Sequence, residues 1–472
     1  MTFYKQDRMK SLARRTFLKS ISQAGIVSLT GTLALPEYSK GISKQEGTLP
    51  EKKSNPVCRV SKEIRIACPE LNLAPITGMT YIGLGLRREE TLSFMQSSDW
   101  HIMSLSRTSD DNGQTWSAWL PIPTETQTSG KYTQSGGASQ RGTGQYDAVS
   151  GRLIKPVFQR IFQGAPEEAL KTAWKGERLF WDHGFYQLSD DNGKTWGEAY
   201  QLKYEEGPDF DPKNWGKQEW LKANEMYIGN SIVLKNGSVI ISATIPVPYK
   251  NEEDEKYPSI FPNNYREGCV AGAMCFIGKW NKAKQNYSWK KSNSIFLPRQ
   301  VSSRGLVELD ISELKNGHLL LIMRGSDTSK TPGRKWFSVS KDGGYTWSDI
   351  KDMRYDTGEQ FYSPASIHKT FRSSKTGKLY WVGNISKEPP KGNYPRFPLY
   401  VVEVNEENPS FIKDTLTIID DRDPKRDTEL VQMSNFALLE NRETHDVEIY
   451  LTRLGENKIT WSADACKYRL VF

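Results

Sequence analysis

The sequence predicts an all-β protein folded as a β-propeller, and two observations lead to that prediction. The first is a turn motif of the form Ser-x-Asp-x-Gly-x-Thr-Trp, which occurs three times, at residues 109–116, 189–196 and 340–347. The second is a set of turn dipeptides followed by apolar runs of β-type residues, as where Asn236-Gly237 precedes Val239-Ile240-Ile241. A β-unit that repeats along a chain is typical of propellers and solenoids.

Each fixed position of the turn motif has a mechanical role. The Ser and Asp side chains hold nearby backbone amides, and the Gly adopts the positive φ that a tight turn needs. Thr-Trp then begins a strand whose indole packs inward. The motif therefore predicts a hairpin connection on the rim of a blade, and it carries no chemistry of its own.

The order of these signals predicts the blades. From Leu306 to Trp347 the chain reads apolar strand, Gly turn, strand, turn motif, strand, which is about one four-stranded blade. A degenerate copy of the motif is expected between Trp280 and Trp289. We predict six blades, or seven if one long segment hides another. The six span residues 63–120, 143–205, 225–295, 304–350, 361–415 and 430–470.

Three stretches are longer than the blade repeat requires: residues 164–181, 204–223 and 248–268. We expect a short helix from Pro166 in the first, and loops in the other two. Propeller insertions gather on one face, where they build the rim of a pocket. Four aromatic residues of these loops either stack on sugar rings or pack the loops: Trp215, Trp220, Tyr257 and Tyr265.

The N-terminus predicts an export signal. The order Arg14-Arg15-Thr16-Phe17-Leu18-Lys19, followed by a weakly apolar stretch to Leu35, is typical of the twin-arginine route, and a disordered basic tail is the alternative. The apolar stretch is too short and too polar to span a membrane. We therefore predict a signal at residues 1–36, a linker at 37–62 and a catalytic propeller at 63–472, in a periplasmic or secreted protein.

The charge of the predicted mature chain argues against a nucleic-acid partner. The whole chain carries a net charge of +8, but the signal segment, with six basic residues against one Asp, holds +5 and leaves +3. Binding a phosphate backbone needs a concentrated basic face, and the mature chain has no basic run. A few basic residues in a pocket would instead suit an anionic sugar.

The cysteines predict neither a disulfide framework nor a zinc finger. The five are scattered, without Cys-x-x-Cys spacing, and an exported protein of this kind is compatible with one disulfide. We predict no cofactor, while a structural metal on scattered Cys and His residues stays open, as does the oligomeric state. The cysteines are Cys58, Cys68, Cys269, Cys275 and Cys466.

The turn motif resembles the Asp-box, or BNR repeat, of the sialidase-like β-propellers. In those enzymes a Glu stands five residues before Glu-Leu, and an Arg follows shortly before the next Asp-box; here Glu308 and Arg324 hold these positions. The resemblance implies that Arg324 binds a substrate carboxylate as a bidentate fork and that Glu308 tunes a neighbouring tyrosine. Arg65, in Arg-Ile-Ala, weakly matches the first arginine of the family's triad, the alternative being an ordinary strand arginine.

The rest of the sialidase pattern is absent. Where the third arginine of the triad should lie, the chain has His368 and Lys369, and Met433 stands where the tyrosine nucleophile belongs. A thioether is not a useful nucleophile toward an anomeric carbon. The resemblance therefore predicts a sialidase-like propeller but not the double-displacement mechanism of a sialidase.

The remaining polar residues suit elimination from a uronate, which needs a group that neutralises the carboxylate, a base and an acid. In this respect, and in size, export signal and repeats, the chain resembles the propeller lyases and dehydratases of ulvan and related uronate polysaccharides. The candidates are Arg324 with Arg304 or Asn435 for the carboxylate, His368 or His183 for the base, and Tyr227 or Tyr362 for the acid.

The leading prediction is thus an exported lyase or dehydratase whose partner is an acidic, sulfated oligosaccharide. The second reading is an exo-glycosidase that uses a carboxylate such as Glu308 or Asp310. The third is a sugar-binding propeller without turnover.

Overall fold

Six antiparallel sheets follow one another along the described part of the chain as the blades of a propeller. The computed structural model describes residues 55–67, 73–97, 100–122, 126–135, 144–173, 178–249, 268–458 and 461–472. The predicted export signal lies outside the described residues, as do Tyr257, Tyr265 and Cys68. The prediction of an all-β propeller is confirmed, with six blades rather than seven.

The strands are numbered along the chain. Strand β1 (Arg59–Ile66) is separate from the blade that follows it. Blade 1 consists of β2 (Ala74–Tyr81), β3 (Arg88–Ser97), β4 (Trp100–Ser109) and β5 (Leu120–Pro121). Blade 2 consists of β6 (Thr126–Ser129), β7 (Tyr132–Ser135), β8 (Gln145–Asp147), β9 (Arg152–Gln163), β10 (Phe180–Ser189) and β11 (Tyr200–Gln201). Blade 3 consists of β12 (Tyr227–Val233), β13 (Val239–Pro248), β14 (Cys269–Asn281) and β15 (Asn286–Lys291).

The second half of the propeller is built in the same way. Blade 4 consists of β16 (Val307–Glu313), β17 (Leu319–Arg324), β18 (Lys335–Ser340) and β19 (Lys351–Asp352). Blade 5 consists of β20 (Lys369–Arg372), β21 (Leu379–Asn384), β22 (Leu399–Asn405), β23 (Ser410–Phe411) and β24 (Thr417–Asp420). Blade 6 consists of β25 (Ala437–Glu440), β26 (Val447–Thr452), β27 (Ala465–Val471) and, as its outermost strand, β1.

Both ends of the chain therefore build blade 6. Strand β1 pairs antiparallel with β27, from Arg59 opposite Val471 to Ile66 opposite Ala465. We expected the first blade to begin at residue 63, but residues 59–66 belong to the last blade and the first begins at Ala74. The residue pattern of a strand indicates that it joins a sheet but not which sheet, because that choice depends on long-range pairing.

The four-stranded unit of blade 2 is β8 to β11, preceded by β6 and β7. The three turn motifs adopt the predicted hairpin geometry between the third and fourth strands of this unit and of blades 1 and 4. In the third motif the Ser340 hydroxyl accepts a hydrogen bond from the Gly344 amide at 2.8 Å, and Asp342 accepts from the Thr346 amide at 2.9 Å and hydroxyl at 2.6 Å. Two successive residues have positive φ, 77° at Gly343 and 97° at Gly344. The fourth motif position is thus left-handed as well, which explains why it is Asn or Gly in all three copies.

The first two insertions pack against blade 2, and residues 250–267 of the third lie outside the described residues. The first contains the predicted short helix, α1 (Pro166–Ala173), and the second contains one helical turn, α2 (Gln218–Leu221). Trp215 and Trp220 are buried in an apolar cluster with strands of blade 2. Of the two roles left open for these indoles, packing the loop is therefore the one that the structure shows.

The apolar cores lie largely between neighbouring sheets. All four cysteines of the described residues are buried and unpaired, so the expected disulfide does not form among them. The described residues contain no group of three or more His, Cys, Asp or Glu placed to hold a metal ion. Neither α1 nor α2, the two α-helices of the described residues, has the length and apolarity needed to cross a membrane.

We expect Asp342→Ala to lower the free energy of unfolding by about 1–2 kcal/mol, because it removes the acceptor that closes the third turn. Urea unfolding of the purified protein measures this change. Asp349→Ala is the matched control, since Asp349 is also exposed in the same connection, and we expect a change of less than about 0.5 kcal/mol. Equal effects at both positions would contradict a stabilising role of the motif.

Candidate active site

The strand order places the candidate residues on one face of the propeller. Strands that are neighbours in a sheet are antiparallel in every blade, so in the four-stranded unit of a blade the start of the first strand and the connection between the second and third strands share a face, here called the entry face. The three turn motifs join third to fourth strands and lie on the opposite face. Helix α1 and the 202–226 connection lie on the entry face.

A cavity of about 400 Å³ lies where the first strands of five blades converge. It brings together five of the residues predicted from the sequence, on blades 3, 4, 5 and 6. These are Tyr227, Glu308, His368, Lys369 and Asn435. His101 and Asn230, which the sequence analysis did not single out, also line this central cavity.

Unusual backbone conformations orient two of these side chains, those of Glu308 and Asn435. Glu308 has a φ of 51° and lies in a bulge of β16, where the pairing register shifts between Val307 and Asp310. Asn435, just before β25, has a φ of 60°. Such conformations are uncommon for residues other than glycine and often mark functional sites.

Glu308 is held by Arg324. The Arg324 guanidinium, at the end of β17, donates from Nη1 to Glu308 Oε1 and from Nη2 to Asn393 Oδ1 at 3.4 Å. Burial alone would raise the pKa of Glu308, but the charge and hydrogen bond of Arg324 outweigh it and lower that pKa. Glu308 is therefore ionised, and its Oε2 has no partner among the described residues.

Two more arginines lie near this pair and form the arginine cluster: Arg304, Arg324 and Arg396. Burial, together with the charges of Arg324 and Arg396, lowers the pKa of Arg304 to about 9. Arg396 donates to Gln432 Oε1 at 2.9 Å and to the Ala365 carbonyl at 3.0 Å, which ties blade 5 to blade 6. Positive charge thus exceeds negative charge beside the cavity, and such an excess favours an anion.

The sequence pointed to Arg304 and Arg324 but not to Arg396, which lies in the long connection between β21 and β22. Nor did it indicate Lys335, which lies directly opposite Arg324 on the neighbouring strand. Only the strand pairing points to Lys335, because a residue directly opposite a functional arginine lies in the same surroundings.

His368 is a neutral imidazole at the edge of the cavity. Its Nε2 lies 3.3 Å from the Ile322 carbonyl, an acceptor, so Nε2 carries the proton and Nδ1 carries the lone pair. Burial, with the charges of Lys335 and Lys369, lowers the pKa of His368 well below its usual value. Nδ1 has no partner among the described residues.

Five candidate residues are not part of the cavity lining: Arg304 and Arg324, which lie near Glu308, and Arg65, His183 and Tyr362. His183 is on β10, the third strand of blade 2, where it stacks on Trp220 with ring centroids 4.0 Å apart. Burial and the charge of Arg178 lower the pKa of His183 to about 3. Tyr362 forms an isolated β-bridge with Ser386. The structure does not bring either side chain together with His368 in the central cavity.

Arg65 is also elsewhere, because β1 is the outermost strand of blade 6 and not the first strand of blade 1. Its guanidinium pairs with the buried Glu90, which Arg107 contacts at 2.6 Å from the other side. The expected place of Arg65 in the first blade is therefore wrong, because β1 pairs with β27 of blade 6, and Arg65 joins blade 6 to blade 1.

No protein-family model and no curated protein matches this chain. Among solved structures it is similar to a protein of unknown function from Dyadobacter fermentans, with a TM-score of 0.51 and 13% identity over 88% of this chain and 99% of that one. It is also similar to the NanB sialidase from Streptococcus pneumoniae, with a TM-score of 0.50 and 14% identity over 87% of this chain and 70% of that one.

A Hadza microbial sialidase, Hz136, gives a TM-score of 0.50 and 14% identity over 85% of this chain and 66% of that one. At such identities the likeness shows the fold. The chain is a six-bladed β-propeller of the sialidase-like type.

The buried His183 predicts a loss of stability in acid. As the pH falls below about 6.5, the unfolded chain binds a proton at this histidine and the folded protein does not, so stability present above that pH is lost progressively toward pH 3. His183→Phe keeps a ring on Trp220 and removes this proton. We expect the slope of unfolding free energy against pH, measured in urea between about pH 4 and 6, to fall by about 1.4 kcal/mol per pH unit. An unchanged slope would show that His183 is protonated in the folded protein.

Proposed function

We propose that the protein binds a uronate-containing oligosaccharide in the central cavity and acts on it by β-elimination, as a lyase or dehydratase. The observation that carries this proposal is the neutral His368, with its unpartnered Nδ1, at the edge of the cavity and beside the arginine cluster. Two of the structural neighbours are sialidases, which supports a carbohydrate-active enzyme. The excess of positive charge supports an acidic sugar.

Arg324 and Arg304 neutralise the C6 carboxylate in this proposal. Arg324 lies next to the cavity through its ion pair with Glu308, which lines it, and its buried Nε has no partner among the described residues. As the C5 proton leaves, negative charge builds up on the carboxylate, and fixed cations stabilise that charge without reorganising. The arginines therefore lower the barrier to proton removal as well as binding the sugar.

His368 is the base. Its Nδ1 takes the C5 proton, the electron pair of that bond forms the C4–C5 double bond, and the bond between C4 and its oxygen breaks. The low pKa of His368 in the free protein keeps Nδ1 unprotonated, ready to accept. The negative charge of a bound carboxylate raises the pKa of a nearby imidazole, so the substrate itself increases the basicity of His368.

Tyr227 is the acid that returns a proton to the leaving oxygen. It lies at the start of β12 on the central cavity, and its ring packs edge-on against Phe158, with centroids 5.1 Å apart. Asn435 and Lys369, which also line the cavity, offer an amide and a cation to sugar hydroxyls or sulfate groups. These assignments use residues of four blades, 3 to 6.

Hydrolysis is the second candidate function, and Glu308 is the observation that favours it. Its ionised carboxylate lines the cavity and has a free Oε2. Met433, at the position of a sialidase nucleophile, is fully buried in the core, so a hydrolase of this fold would have to rely on a carboxylate such as Glu308. Asp310 is less suited, because its Oδ2 already accepts hydrogen bonds from the Thr370 amide, at 2.6 Å, and from the Thr370 hydroxyl.

Elimination and hydrolysis give different products. On sulfated and unsulfated oligosaccharides of glucuronate and iduronate, we expect ultraviolet absorbance to rise as the double bond conjugated to the carboxylate forms. His368→Asn and Tyr227→Phe should each lower kcat by about 10²- to 10⁴-fold, as expected for loss of a general base or acid. His183→Asn and Tyr362→Phe are the matched controls, and they should keep kcat within a few-fold of the wild-type value.

Two results would overturn the elimination reaction. New reducing ends without absorbance, lost in Glu308→Gln, would establish hydrolysis instead. Saturable binding of the oligosaccharides without any product would establish a sugar-binding propeller.

We also propose that residues 1–36 direct export by the twin-arginine route. Replacing Arg14 and Arg15 together by Lys should retain the protein in the cytoplasm, because the route recognises the arginine pair. Fractionation of cells that express the full chain, followed by immunoblotting, measures this. Arg8→Lys is the control and should leave export unchanged, and export of the double variant would refute the assignment.

A further inference from the structure

Lys335 is a fully buried lysine beside the arginine cluster. It is the first residue of β18, opposite Arg324 in the pairing register, and its exposed fraction is 0%. Lysine is rarely buried completely, because removing an ammonium from water is unfavourable unless nearby groups compensate. Glu308 supplies one negative charge nearby, but Arg324 and Arg396 supply two positive ones. Burying Lys335 here therefore calls for a functional explanation.

The hydrogen bonds of Lys335 go to the segment that carries His368. Its Nζ donates to the Ser366 carbonyl at 2.5 Å and to the Pro364 carbonyl at 3.4 Å. Arg396 donates to the carbonyl between them, that of Ala365. Two basic side chains thus hold three consecutive carbonyls just before His368. The orientation of the imidazole depends on this segment, since Ser366 is only two residues away.

The same position couples Lys335 to whatever anion the arginine cluster binds. Burial and the charges of Arg324 and Arg396, opposed by Glu308, lower the pKa of Lys335 to about 7. A neutral amine still has two protons to donate to Pro364 and Ser366, so the segment keeps its hydrogen bonds in either state. What changes with protonation is the charge next to His368, whose other charged neighbours are Lys369 and Arg324.

We propose that Lys335 is a positioning residue for His368, and that it takes up a proton from solvent when an anion enters the arginine cluster. The anion offsets the repulsion from Arg324 and Arg396, which favours the ammonium form of Lys335. This inference rests on the proposed function, because the anion is the carboxylate of the substrate. Binding of an acidic sugar then depends on pH through Lys335 as well as through the sugar.

Calorimetric titration with glucuronate tests this, run at pH 8 in buffers of different ionisation enthalpy so that the heats report the protons taken up. For the wild type we expect an uptake of close to one proton per glucuronate bound. Lys335→Arg keeps donors and stays charged at this pH, so it should bind glucuronate without proton uptake. Lys335→Met should also show no uptake, and its kcat on the oligosaccharides should fall by at least tenfold while its KM changes less.

Lys155→Met is the matched control, since Lys155 is a buried lysine of blade 2, over the Trp196 ring. It should keep the wild-type proton count and kcat. Binding without proton uptake in the wild type, or uptake that persists in Lys335→Arg, would overturn the role of Lys335 and leave the anion site standing. Failure of the wild type to bind glucuronate, sulfate or phosphate would overturn the anion site and the inference together.

Discussion

The closure of the ring by β1 is the constraint on which the rest of the structure depends. Beyond the β1–β27 pairing, buried ion pairs join blade 6 to blade 1. Arg88 of blade 1 contacts Glu448 of blade 6 at 2.9 Å, with both side chains nearly inaccessible to solvent, and Arg65 contacts Glu90 beside it. Removing one partner of a buried pair leaves an uncompensated charge, which typically costs about 3–5 kcal/mol. The ring is thus closed by contacts whose individual loss would lower the free energy of unfolding substantially.

Closure also explains why the candidate site is assembled from distant parts of the sequence. The central cavity exists because the first strands surround one axis, and its lining comes from five blades. Asn230 shows how the spacing is kept: its side chain accepts from the Ile311 amide at 2.7 Å and donates to the Ile311 carbonyl at 3.1 Å, which joins β12 to β16. The distance between Tyr227 and Glu308 is therefore set in part by these hydrogen bonds between a side chain of one blade and the backbone of the next.

The sequence predicted what is encoded locally. The turn motif revealed the propeller because its hydrogen bonds span only a few residues, and Glu308 with Arg324 could be recognised because both lie on one hairpin. Arg396 and Lys335 could not be recognised, since their importance comes from neighbours in other strands and loops. The placement of Arg65 failed for the same reason: its strand is near the N-terminus, but its partners in the sheet are the last residues of the chain.

In the proposed elimination, the electrostatics of the site impose an order on the steps. In the free protein, the cations beside the cavity favour the neutral form of His368 and make Nδ1 a weak base. A carboxylate bound by Arg324 and Arg304 reverses part of that effect on the imidazole and at the same time acidifies the C5 proton of its own sugar. The basicity of His368 and the acidity of the C5 proton therefore become matched only when the acidic substrate is bound. In this proposal a neutral sugar of the same shape would leave His368 a weak base and its own C5 proton unactivated, so the proposed reaction selects for charge at the chemical step as well as in binding.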